Sequence, residues 1–178
     1  MFSAPTLLVA PAAEPITLDQ AREYLRADGN ALDEEIGMLL VAARSEVEQA
    51  TGQRLVAQTV QVLADSFADL AHFDVGPVNQ VLAIRYQDRA GAEQLLDPSA
   101  YELFGAGIDR GVRPAAGNVW PQPRDADQVI AVDLAVGYAD AASVPQNLRF
   151  AVFAVLRARF ESRDPLIEAL IVNERINP

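Results

Sequence analysis

The spacing of apolar residues changes three times along this chain, and each change marks a different kind of element. From Thr17 the positions Leu18, Ala21 and Leu25 fall on one side of a helical wheel. Thr17 and Gln20 fit a capping box, so a short helix is predicted over residues 17–27. Asp28, Gly29 and Asn30 supply a turn. Leu32, Ile36, Leu39, Leu40, Ala43, Val47 and Ala50 then keep helical spacing, which predicts a second helix over residues 31–51. Its first turns carry Asp33, Glu34 and Glu35, where the helix dipole favours acids, and Gly52 supplies the stop.

From Arg54 the period shortens to two. The segments LVAQTVQVLADSF and PVNQVLAIRYQDRAGAEQLL alternate apolar with polar residues and read as strands, with residues 88–91 a hairpin connection between 81–86 and 93–96. Another short strand opens at Ala100, a Gly- and Pro-rich stretch covers residues 105–123, and residues 129–136 alternate as a last strand. This β insertion spans residues 54–137.

The third change, at SVPQNLRFAVFAVLRARFESR (residues 143–163), predicts a long helix that is apolar all round, with Leu148, Phe150, Ala151, Val152, Phe153, Ala154, Val155, Leu156 and Phe160 distributed over the cylinder. Such a helix has to be covered on more than one side. Ser143 and Gln146 fit a capping box, Pro145 falls in the first turn, and Arg157, Arg159 and Arg163 gather at the negative end of the dipole. The order helix, helix, strands, helix predicts an α+β fold: a helical layer of three main helices, with an antiparallel sheet inserted between the second and the long C-terminal one.

Two segments flank this connecting domain of residues 16–163. Residues 1–15 are rich in Pro and Ala without any period and read as a loose, flexible arm. Pro165 stops the long helix, and the tail of residues 164–178 carries Leu166, Ile167, Leu170, Ile171 and Val172, too apolar to stay solvated. It either folds back on its own domain or docks on a partner.

Composition narrows the function classes. With 178 residues, 51% of them hydrophobic, the chain suits one domain, alone or with a small subdomain, and has ample apolar content for a real core. The net charge of −11, with every basic residue an Arg, excludes a broad basic face for nucleic acid. Absence of Cys removes disulfides, thiolate nucleophiles and cysteine zinc sites. No run approaches the roughly 20 apolar residues that span a bilayer, and no basic residue precedes Arg22 as a secretory signal requires, so a soluble protein made in the cytoplasm, without membrane contact, is expected.

Candidate chemistry is sparse. His72 is the only histidine and falls in a predicted loop. Gly105, Gly107 and Gly111 have the wrong spacing for a dinucleotide fingerprint, and no helix follows them. Asp125 and Asp127 read as a solvated turn, and Asp33, Glu34 and Glu35 have a sufficient role at a helix start. No cofactor, metal site or catalytic set is predicted and no enzyme is expected; a small carboxylate-based enzyme or ligand-binding domain is the alternative. Trp120, in NVWPQPRDAD, either plugs the edge of the core or anchors an interface. Together with Phe150, Phe153, Arg157 and Phe160 it forms a candidate subunit interface.

ITLDQAREYLR, AARSEVEQATGQRL, DPSAYEL and WPQPRDADQVIAVDLAVGYADAASVPQNLRFAVFAVLRARFESR occur in an order that resembles the phage head-tail connector family, adaptors that sit beneath the portal in tailed-phage necks. Similar proteins occur in gene transfer agents, phage-like particles of some bacteria. The resemblance covers residues 16–163. It implies a homo-oligomeric ring, commonly of twelve subunits, bound to the portal protein above and to a tail-side neck or stopper protein below, with DNA passing through its channel without specific binding. It also implies that a C-terminal segment reaches the portal, here Leu166, Ile167, Leu170, Ile171 and Val172. It implies no catalytic residue.

Overall fold

Five strands pair antiparallel into one sheet, four of them from the alternating segments. In chain order they are β1 (Thr6–Val9), β2 (Gln58–Ala64), β3 (Val78–Gln87), β4 (Glu93–Leu95) and β7 (Ile130–Val136), and in space the order is β1-β2-β7-β3-β4. The computed structural model describes residues 2–176; Met1, at the head of the arm, and Asn177 and Pro178, at the end of the tail, lie outside the described residues. The helices are α1 (Leu18–Leu25), α2 (Asp33–Thr51), α3 (Gln146–Phe160) and a single turn, α4 (Glu168–Ile171). The fold class is α+β, as the order of periods predicts.

The chain divides into two compact units: residues up to Ala10 with Gln58–Gly137 form one, and Pro11–Ala57 with the residues from Tyr138 onward form the other. In the sheet unit, period two does what it predicts. Ile130, Val132, Leu134 and Val136 of β7 face one side with Val60 and Val62 of β2, and Phe67, Leu70, Phe73 and Val112 close over them. On the opposite face Asp133 takes a bidentate hydrogen bond from Arg85 of β3 and one from Gln61 of β2, so three central strands are tied by one carboxylate.

Two strands escape the sequence pattern. The arm read as loose carries β1, an edge strand paired on β2; its four side chains are all exposed, so no inward alternation betrays it. Within the Gly- and Pro-rich stretch, β6 (Asp109–Pro114) pairs with β5 (Tyr101–Ala106) as a separate hairpin. Gly111 lies so near the chain at Ala71 that a Cβ there would stand 2.0 Å from the Ala71 carbonyl oxygen, and Gly105 turns at φ 87°. Glycine is required here for close approach and turning. The β3–β4 hairpin forms where expected, with the Asp88 carboxylate accepting from the backbone N–H of Ala90 and Ala92.

In the helical unit, α1 has the predicted box: Thr17 Oγ1 accepts from the Gln20 N–H and Gln20 Oε1 from the Thr17 N–H. On α2, Ile36, Leu40, Ala43 and Val47 are buried and Gly52 caps the end at φ 75°, whereas Leu32 precedes the helix and is exposed. The buried side of α2 packs on Leu148, Ala151, Val152, Val155 and Leu156 of α3.

The predicted start of α3 needs correction. Ser143 caps nothing: its N–H and Oγ–H both donate to Asp140 Oδ1 at 2.8 Å, holding that carboxyl below its ordinary range, and the helix begins at Gln146 with Pro145 in the cap position. Val144, which would be the first helical residue of that box, precedes Pro145 and is steered away from the helical region, so the helix starts only after the proline and the serine closes a turn instead. Helix α3 also ends at Phe160, before Pro165 is reached.

Candidate assembly surface

Helix α3 is apolar all round in sequence but not covered all round in the structure. Phe150 is 51% exposed. Phe150 and Phe153 line an open groove of about 430 Å³, whose other walls are Gln146, Asn147, Arg149 and, from α4, Leu170. The groove is apolar at its floor and polar at its rim. Arg149 has no carboxylate partner among the described residues, and its Nε is buried without a hydrogen-bond partner. An unpaired buried N–H costs free energy until an acceptor reaches it.

The other candidate residues have partners within their own unit. Phe153 lies against Tyr24 of α1 at 4.6 Å between ring centroids, and the Arg157 guanidinium stands 4.4 Å over the same tyrosine ring while donating to the Tyr24 carbonyl. Phe160 is half-buried against the helical core. Trp120 stacks on Phe67, 4.8 Å apart with 11° between planes, and so closes the edge of the sheet core. Of the five, Phe150 is the one left substantially open.

The tail folds back on the helical unit. Ile167, Ile171 and Ile176 are buried, the first two within the α2–α3 core, while Leu166 is 89% exposed and Val172 is exposed. Two hydrogen bonds tie its end to the end of α2: the Ile176 backbone N–H donates to the Thr51 carbonyl at 2.8 Å, and the buried Gln53 side-chain Nε2 donates to the Glu174 carbonyl. Tyr138 completes the latch by donating its hydroxyl to Gln53 Oε1 at 2.6 Å, and burial, followed by the charge of Glu174, pushes its pKa up to about 12.

The remaining candidates do not converge. His72 Nδ1 lies 2.8 Å from Asp109 Oδ1 at an exposed site on the β5–β6 hairpin. Asp125 and Asp127 are exposed, as are Glu34 and Glu35. Among the described residues no group of three or more His, Cys, Asp or Glu is placed to hold a metal ion, and no helix is long and apolar enough to cross a membrane. Sequence reasoning named Phe150, Phe153 and Leu170 but missed the rim residues Gln146, Asn147 and Arg149. Their signal was the spacing Gln146, Arg149, Phe150, Phe153, which repeats at three and four residues along one helix face.

No protein-family model matches the sequence, and no curated protein is significantly similar to it. Solved structures do match over nearly the whole length. One, from the neck of an empty gene transfer agent (GTA) particle computed with C6 symmetry, has a TM-score of 0.80 at 22% identity, covering 99% of this chain and 97% of the other. A chain of the native GTA virion has a TM-score of 0.79 at 23% identity, with the same coverage of 99% and 97%. A third, from the neck of the native GTA particle computed with C12 symmetry, gives 0.76 at 20% identity, again covering 99% and 97%. The chain therefore has, over both of its units, the fold of a protein found in GTA necks.

Proposed function

We propose that this chain is a structural head-tail connector: it sits as a ring in the neck of a gene transfer agent or related phage-like particle, joins head to tail, and surrounds the path of the DNA. The observation that carries this reading is the two-way coverage of 99% and 97% at a TM-score of 0.80 with a neck chain, because a shared single domain would leave one of the chains partly unmatched. The C6 and C12 symmetries of those necks support a ring.

The ring lies against the portal protein on the head side and a tail-side neck or stopper protein below. Exposed Leu166 and Val172, on a tail whose isoleucines are anchored in the core, supply the apolar contact to the portal. DNA passes without being held. The net charge is −11, and among the described residues eight of the 14 arginines pair with carboxylates of the same chain and so are less available to grip phosphate. Particles made without this protein should accumulate as heads and separate tails, and adding the purified chain should restore joining. Particles that join normally without it would overturn the proposal.

A further inference from the structure

A ring with one subunit type needs two different faces on each copy, one received by the next. For twelve copies each is turned by about 30° from its neighbour, so the two faces must lie on nearly opposite sides of the subunit. The helical unit has such a pair. Phe150 is two residues from both Leu148 and Val152, which places it about 160° round α3 from the side that packs on α2. Met38 is likewise two residues from both Ile36 and Leu40, about 160° from the buried side of α2. Because α2 and α3 pack by their buried sides, Met38 and Phe150 point away from each other across the helix pair.

The two faces also differ in shape and charge. The α3 face is concave, the groove floored by Phe150, Phe153 and Leu170, and its rim carries Arg149 without a carboxylate and with an unmet buried Nε. The α2 face is a convex helix surface on which Met38, 63% exposed, and Val41, 46% exposed, stand one turn apart, with the exposed carboxylates of Glu34 and Glu35 beside them. Neither acid has an ion-pair partner among the described residues. Met38 and Val41 stand at i and i+3 on one helix face, the spacing that helix-in-groove docking uses.

Resting on the connector reading, we infer that the occupant of the α3 groove is a second copy of this chain: Met38 and Val41 of one subunit enter the groove of the next, and Glu34 and Glu35 meet Arg149 at its rim. The contact is heterologous, so it propagates head to tail and closes as a ring.

The native chain has no cysteine, which makes a paired-cysteine test unambiguous. Met38→Cys and Gln146→Cys are placed in one chain, the protein is bound to portal-bearing heads, and a short bis-maleimide is added. The expected result is a ladder of linked species climbing beyond the dimer, with each single-cysteine variant remaining monomeric. Dimers from Gln146→Cys alone would show that groove meets groove, and a ring seen on the heads without any ladder would place the contact elsewhere; either overturns this pairing and leaves the connector reading standing. Absence of any ring overturns both. Arg149→Glu should abolish the ladder while leaving the helical circular dichroism unchanged, and Glu34→Arg with Glu35→Arg in the same chain should restore it. Failure of that restoration, with all variants folded, also contradicts the pairing.

Discussion

Glu48 illustrates what a single buried carboxylate does for this chain. It is 3% exposed; its Oε2 accepts from Arg44 at 2.9 Å and Arg54 at 3.4 Å, and its Oε1 from the Leu55 N–H at 2.9 Å, so it fixes the path of the chain as it leaves α2. Removing it strands Arg44, itself largely buried and otherwise held by Glu14. Glu48→Ala is therefore expected to cost about 3 kcal/mol in urea unfolding, in line with breaking one side of a buried pair. An unchanged midpoint would show that Glu14 suffices. In the sequence Glu48 reads as an ordinary helix acid; only its i, i+4 spacing from Arg44 hints at the pair. Tyr138 gives a second residue-level expectation. Its folded pKa of about 12 exceeds the ordinary 10.0, so its contribution is full below about pH 10 and is lost as pH rises toward about 12, when the ionised oxygen can no longer donate to Gln53. Thermal melts should fall over that window, and Tyr138→Phe should flatten the decline.

At the scale of elements, α3 separates packing from display. Leu148→Ala, on its buried side, is expected to cost about 3 kcal/mol, whereas Phe150→Asp on the open side should change stability by less than about 0.5 kcal/mol and act only on assembly. Chemical unfolding of the two variants tests this; equal losses would mean that Phe150 is core. The tail obeys the same distinction. Deleting residues 166–178 removes buried Ile167, Ile171 and Ile176 together with both links to the end of α2, an expected loss on the order of 5 kcal/mol. An unaltered melting curve would instead make the tail a detachable docking segment. Sequence reasoning placed α1, α2, β2, β3, β5, β7 and the body of α3, because each has a buried face with a matching period, and it placed the fully exposed β4 through the hairpin turn at residues 88–91. It passed over β1, which has no buried face, and β6, whose DRGVRP has too few apolar residues to alternate and whose glycine serves a close approach. It could not say which sides of α3 are covered, since an apolar side chain is written alike whether it meets its own core or waits for another subunit.

For the whole molecule, the acidic balance and the fold shared with chains of GTA necks support the proposal of a part whose work is done by surfaces. The order of segments carried the connector reading from sequence, while the groove was hidden because its walls come from α3 and α4, separated by a turn that no period describes. The direct test of the central claim is the structure and mass of the assembly formed when the purified protein is added to portal-bearing heads, read by cryo-electron microscopy with native mass measurement. The account predicts a closed ring of copies seated coaxially on the portal. A protein that stays monomeric in solution and never binds the heads would contradict it.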